Sequence, residues 1–200
     1  MGLSLVDIEK DPGMLSYRIP LENTEDIVLR PLEHTDIKIL TNFLKNLSKE
    51  SRKNYILNSY DERIAQEFSD AISRYDKLRF LLIKESTNTC IGIFEYSLDI
   101  PENDEIRFKK YNIQLDAEID CRIGPCISDE YQNQGLGSII FPYLIKIAKT
   151  IGKQRMILWG GVFSDNERAI SFYKKKGFKP LGSFVNQDDK DSLDMIIDID

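Results

Sequence analysis

Tyr131-Gln132-Asn133-Gln134-Gly135-Leu136-Gly137 lies between an apolar, partly alternating run and a long helical pattern. A strand, a glycine-bearing turn and a helix start aim backbone N–H groups at a ligand. Gly135 and Gly137 let the backbone approach closely, and the free N–H groups and dipole of the helix start favour phosphate. The spacing is not the dinucleotide fingerprint, which needs a third glycine at the opening of a βαβ unit. It also lacks the Lys-Ser/Thr ending of the common triphosphate loop. Other chemistries have little support. Cys90, Cys121 and Cys126 are an odd set without short metal spacing, and His34 is the single histidine, so a Cys/His zinc site is not expected. No Ser/His/Asp or Cys/His grouping suggests a covalent nucleophile.

The chain has 200 residues, enough for one full core, and no Pro/Gly/Ser linker divides it. The net charge of −6 argues against a general grip on nucleic-acid phosphates and suits a cationic substrate better than an anionic one. The N-terminus lacks the basic-then-apolar order of a secretion signal, and no apolar run is long enough to span a bilayer. A cytoplasmic protein with reduced thiols and no membrane partner is expected.

The elements that must position the loop read as follows. Residues 1–24 have little periodicity and suggest a tail or arm, leaving 25–200 as the domain. Ile27–Pro31 is a short strand. Thr35-Asp36 can cap a helix with Ile37, Leu40, Phe43, Leu44 and Leu47 on its apolar face. Ser48 starts another helix, and a polar helix covers about 61–74. Leu78–Ile83 and Cys90–Tyr96 form a hairpin around Glu85–Asn88. The charged stretch 97–114 reads as a solvent loop or as a lip that screens substrates. Ala117–Ile127 is the next strand, with Glu118, Asp120, Arg122, Gly124 and Cys126 on one face. Pro125 interrupts a regular ladder and predicts a bulge or a splayed edge. A helix runs from about Gly137 to Thr150, and Pro142 inside it predicts a bend. Arg155–Trp159 is a strand, Asn166 precedes a helix to Lys176, and Gly177 is its left-handed stop. Two strands close the chain. The expected fold is α+β, or mixed α/β, with a largely antiparallel sheet.

Two motifs in order carry a resemblance. Gln132–Gly137 matches the Gln/Arg-x-x-Gly-x-Gly/Ala loop of the GCN5-related N-acetyltransferase superfamily. Asn166-Glu167-Arg168-Ala169-Ile170-Ser171-Phe172-Tyr173, continuing to Gly177-Phe178, resembles its second signature, Asn-x-x-Ala-x-x-Phe-Tyr-x-x-x-Gly-Phe. Ile27–Pro31 with Asp36, and Leu47-Ser48 with Glu50-Ser51-Arg52, resemble its opening. The likeness covers roughly residues 27–199.

The resemblance implies an acyl-CoA N-acyltransferase fold whose central strand splays from the next. Acetyl-CoA is the implied co-substrate, without a metal. Its pantetheine would lie along Gly124, Pro125, Cys126 and Ile127. Its pyrophosphate would lie on Gln132, Asn133, Gln134, Gly135, Leu136 and Gly137. Asn166 corresponds to a residue that contacts pantetheine or steadies the following helix, and by itself it also reads as an N-cap. Tyr173 corresponds to the tyrosine near the thioester sulfur, a phenol able to protonate the departing thiolate. Glu118, with Asp120 as runner-up, is the expected base for the attacking ammonium. Cys126 reads as a small strand residue and not as an acyl carrier. The implied reaction is direct acetyl transfer to a primary amine, expected to be a small molecule. Acetylation of a protein N-terminus and a non-enzymatic CoA-binding domain are the alternatives. Acceptor contacts would come from about 35–75 and 97–114. The resemblance leaves the oligomeric state open, with a homodimer common among relatives.

Overall fold

The computed structural model describes residues 3–21, 26–74 and 76–199. The expected arm is only partly within this range, since residues 1, 2 and 22–24 lie outside it. The chain forms two compact units, one built from Leu3–Glu95 with Pro125–Ile140, the other from Tyr96–Gly124 with residues 141–199.

In the first unit the N-terminal segment is regular structure. Helix α1 (Leu5–Lys10) opens on a reciprocal cap: Asp7 N–H donates to Ser4 Oγ and Ser4 N–H donates to Asp7 Oδ2. A 3-10 turn over Pro12–Leu15 leads to β1 (Tyr17–Ile19), which pairs antiparallel with β2 (Ile27–Pro31). Ile8, Leu15 and Ile19 are fully buried. They come from three short elements, a helix, a 3-10 turn and a strand, so no single period reveals them in the sequence.

Strand β2 pairs antiparallel with β3 (Lys77–Lys84), with Leu29 opposite Leu82. The hairpin continues into β4 (Thr89–Ser97), and Asn88 takes the left-handed turn position at φ 49°. Helices α2 (Ile37–Asn46), α3 (Lys49–Asn54) and α4 (Glu62–Asp70) cover this sheet. Leu40, Phe43, Leu44, Ile64, Ala65 and Phe68 pack against Leu81, Ile83, Ile93 and Cys126. Asp36 was expected to cap α2. Its carboxylate instead takes both guanidinium nitrogens of Arg30, at 2.6 and 2.7 Å, and the Glu33 N–H. Two parallel N–H···O bonds between a guanidinium and a carboxylate fix the geometry of the pair.

Strand β5 (Asp120–Ile127), which lies in the second unit through Gly124, runs parallel there to β6 (Arg155–Leu158), and the sheet order continues β5-β6-β9-β7 with β8 on β9. Here β7 is Val162–Phe163, β8 is Lys179–Val185 and β9 is Asp191–Asp198, all antiparallel to their partners. The 97–114 stretch is not a loop. It holds helix α5 (Glu102–Lys109), whose Phe108 is buried against Ile157 and Ile196. Helix α6 (Leu136–Thr150) runs through Pro142, which lies on its exposed side. Helix α7 (Glu167–Lys175) ends at Gly177, left-handed at φ 97°. The result is the expected mixed α/β fold: a mostly antiparallel sheet flanked by helices.

Candidate active site

The central strand outruns its neighbour. β5 and β6 are in register from Asp120–Arg155 to Ile123–Leu158, and Gly124–Ile127 extend β5 past that point. The Trp159 N–H makes one more bond, to the Ile123 carbonyl at 3.0 Å. Gly160 and Gly161, at φ 70° and 72°, then turn the chain. At Gly161 a side chain would strike Phe184 and the Leu193 carbonyl within 3 Å, so this turn is committed to glycine. Pro125 falls in the stretch beyond the β6 register, where a missing N–H breaks no ladder. The ladder to β6 thus ends ahead of Pro125, where the sequence predicts an interruption.

Beyond Ile127 the chain makes a 3-10 turn over Asp129–Tyr131 and enters the loop. Asn133 and Gly135 are left-handed, at φ 61° and 78°, and α6 begins at Leu136. Alternating left-handed residues ahead of a helix start turn successive N–H groups towards one concavity, a geometry that suits anions. Leu136 is buried and anchors the turn, while Asn133, Gln134 and Gly135 are exposed. A Cβ built on Gly135 meets nothing within 4 Å, so the loop's outer side is open.

The loop's side chains brace the loop itself. Gln132 Nε2 donates to Ser51 Oγ at 2.9 Å and to the Ile127 carbonyl at 2.8 Å. Gln134 Nε2 donates to the Glu130 carbonyl. Asp129 accepts from Ser48 N–H, Ser48 Oγ and Ser51 Oγ at 2.9, 2.5 and 2.8 Å. The carboxylate thus stands at the N-terminus of α3, where the helix dipole favours it. Burial pulls the Asp129 pKa up, but these bonds from Ser48 and Ser51 leave it below the ordinary carboxylate value. A depressed folded value stabilises the fold above the unfolded pKa, and that contribution is lost as pH falls through the folded one. Asp129→Asn should therefore lower the melting temperature by a few degrees at pH 7. The gap from wild type should close in melts taken below the carboxylate range, whereas a gap independent of pH would assign the loss to packing.

Cys126 is 7% exposed, and burial, then the charges of Asp129 and Glu95, push its thiol far above its ordinary range. It carries no thiolate at neutral pH, in keeping with a small strand residue.

Gly124, Asn166 and Tyr173 belong to the second unit, while Pro125–Ile127 and Gln132–Gly137 belong to the first. Asn166 caps α7, its Oδ1 accepting the Ala169 N–H at 3.1 Å. Tyr173 is half-buried on the apolar side of α7, with its ring edge-on to Phe172 and Phe178 at 5.3 and 5.2 Å between centroids. Phe141 joins Phe172 and Phe178 in the same aromatic group. Burial pushes the Tyr173 hydroxyl well above the usual phenol range, which keeps it protonated and able to donate.

The central strand begins later than alternation implied. Ile119 and Asp120 N–H groups both donate to the Asp116 carbonyl, closing a turn, and β5 starts only at Asp120. Glu118 is exposed within that turn, so strand parity does not place it beside Asp120 and Arg122. Asp120 is fully buried and its carboxylate is engaged: Arg155 Nε and Nη2 each donate at 2.6 Å, and the Asp116 N–H at 2.7 Å. Arg122 bonds Ser97 Oγ at 2.6 Å, pairs with Asp99 and Asp104, and lies 4.8 Å from the Trp159 ring.

Glu95, Asp104 and Asp194 are buried carboxylates that the sequence does not single out. Glu95, 5% exposed on β4, accepts from Tyr55 Oη at 2.5 Å and Arg79 Nε at 2.7 Å. The signal was a single acid within Cys90-Ile91-Gly92-Ile93-Phe94-Glu95-Tyr96. Among the described residues no group of three or more His, Cys, Asp and Glu is placed to hold a metal ion. No helix among them is long and apolar enough to cross a membrane.

This fold recurs in solved structures. The GNAT domain of S. lividans PAT superposes with a TM-score of 0.72 at 17% identity, over 94% of this chain and 98% of that one. A GNAT-family acetyltransferase from Bacillus anthracis gives 0.65 at 16% identity, over 92% and 99%. Spermidine N-acetyltransferase from Vibrio cholerae, in complex with CoA and spermine, gives 0.62 at 20% identity, over 86% and 94%. The model of the acetyltransferase (GNAT) family matches residues 43–178, well over half of the sequence, and the chain belongs to that family.

Proposed function

We propose that this protein transfers acetyl from acetyl-CoA to the primary amine of a small molecule, by direct attack. The observation that carries the reading is the four-residue overrun of β5, Gly124–Ile127, leading into the left-handed loop at the start of α6. A strand edge free of its neighbour offers backbone groups to an amide-bearing chain, and the loop offers N–H groups to phosphates. Acetyl-CoA has both parts and supplies an activated thioester.

The residues then have distinct tasks. Gly124–Ile127 orient the thioester, and an N–H of this stretch polarises its carbonyl. Gln132–Gly137 hold the pyrophosphate. As the amine nitrogen bonds to the acetyl carbon and the carbon–sulfur bond breaks, Tyr173 donates its phenolic proton to the departing sulfur. The proton shed by the amine passes to solvent and restores the phenol. No proton step is assigned to Glu118. About 13 Å of strand, at roughly 3.3 Å per residue, separates Asp120 from Gly124, and Glu118 lies beyond Asp120.

A small acceptor is supported by α5. Arg107 ties it to Asp194 on β9 at 2.7 Å, and Arg122 ties it through Asp104 at 3.5 Å, so the 97–114 stretch holds a tethered helix and not an open loop. The net charge of −6 and the spermine held by the V. cholerae structure support a cationic amine. The test is a panel of alkylamines, polyamines, amino-acid esters and free-N-terminus peptides, assayed for thiol release and for mass gain of the amine. The reading expects turnover on small amines; turnover on peptides alone would move it to protein N-termini, and none on either would leave a CoA-binding domain.

A further inference from the structure

Tyr55, Arg79 and Glu95 form a polar cluster in the first unit that the acetyl-transfer steps above do not use. Its geometry fixes the direction of one proton. Glu95 accepts from Arg79 Nε through one carboxylate oxygen, and the Tyr55 hydroxyl donates its proton to the other. A hydroxyl has one proton and two lone pairs. With the proton committed to Glu95, Tyr55 can meet any further partner only as an acceptor.

The surroundings hold this arrangement. Arg79 is pinned over the Phe68 ring, 3.9 Å from its centroid. Tyr60 Oη donates to the Tyr55 carbonyl at 2.6 Å and accepts the Leu57 N–H at 3.2 Å, fixing the backbone where α3 ends. Burial, then the Glu95 charge, raise the Tyr55 pKa well above the phenol range, so the hydroxyl keeps its proton at neutral pH. Tyr55 is only half-buried, and it packs on the cluster that contains Cys126, within the β5 extension.

An attacking amine imposes a specific demand. Its nitrogen must keep its lone pair for the thioester carbon, so a residue that orients it by hydrogen bonding must accept an N–H. A donor at that position would occupy the lone pair and block attack. We infer that the Tyr55 hydroxyl, oriented by Glu95 and Arg79, is the acceptor that receives an N–H of the substrate amine and so helps determine which amines are used. The inference rests on the acetyl-transfer reading above and adds to it a binding residue for the acceptor.

The experiment compares wild type with Tyr55→Phe on the small amine that wild type turns over fastest in the panel. Phenylalanine keeps the ring and removes the accepting oxygen. The amine KM should rise roughly tenfold, within the range for losing one hydrogen bond to a polar ligand, with a smaller change in kcat. Acetyl-CoA affinity by calorimetry should be unchanged. A second variant carries 2,3-difluorotyrosine at position 55, which keeps shape and hydroxyl but weakens the oxygen as an acceptor. Its KM should fall between the other two, a graded shift that a purely structural role would not give. Unchanged KM in both variants overturns the inference, as does an equal loss of acetyl-CoA affinity. Wild type without turnover on any amine would overturn the acetyl-transfer reading itself, a result distinct from either.

Discussion

Gly137→Asp is expected to abolish acetyl-CoA binding while leaving the protein at least as stable as wild type. Gly137 lies in the first turn of α6 and is not among the left-handed residues, so its backbone accepts a side chain. That turn has no acidic residue, and an aspartate near a helix N-terminus stabilises it by ~0.3–1 kcal/mol through the helix dipole. Folding alone would therefore favour the substitution. A pyrophosphate held by the same N–H groups would meet a carboxylate a few ångströms away. Like charges at 4 Å repel by about 4 kcal/mol at the effective dielectric of a protein surface, roughly a thousandfold in affinity. Calorimetry with acetyl-CoA and a thermal melt of the same sample separate the two effects. An unchanged dissociation constant would remove the loop from cofactor binding, and a fall in melting temperature matching the loss of affinity would make its role structural.

Tyr173→Phe is expected to reduce kcat roughly 10–100-fold, the scale on which a positioned proton donor contributes. The acetyl-CoA dissociation constant should change little. The aromatic group of Phe141, Phe172 and Phe178 around the ring is preserved by phenylalanine, so the fold should not suffer. Burial alone raises the Tyr173 hydroxyl, and a neutral donor remains available throughout the physiological range. The kcat of wild type should therefore show no descending limb from this group between pH 6 and about pH 9. Wild-type turnover in a folded Tyr173→Phe protein would reduce the residue to packing.

The parts of the fold legible in the sequence are those governed by local rules. Ile27–Pro31 forms the expected strand because alternating burial and a terminal proline are both local signals. Ser48, Asn166 and Gly177 take the capping and stop conformations that their side chains, or the lack of one, favour. The loop and the β5 overrun were legible from two glycines and an ill-placed proline. What could not be read depends on partners distant in the chain. Helix α5 looked like a charged loop because the acids at its start gave no apolar face. Asp104 is buried there only because Arg107 and Arg122 neutralise it. Glu118 and Asp120 illustrate the same limit. Alternation treats them alike, yet the turn closed on the Asp116 carbonyl leaves one exposed, and Arg155, thirty-five residues from Asp120, buries the other. Glu95 stood in an apolar run, and its partners Tyr55 and Arg79 are 40 and 16 residues away.

Acetyl transfer from acetyl-CoA to a small amine, the proposed activity, releases two products at once. The most direct measurement is a stoichiometry: purified protein, acetyl-CoA and each small amine of the panel, with free thiol and acetylated amine quantified in the same reaction. At least one amine is expected for which the two products appear in equal amounts and in proportion to enzyme, with both rates depressed together by Tyr173→Phe. Acetyl-CoA binding without thiol release on any amine, or thiol release without an acetylated product, would contradict the proposed activity.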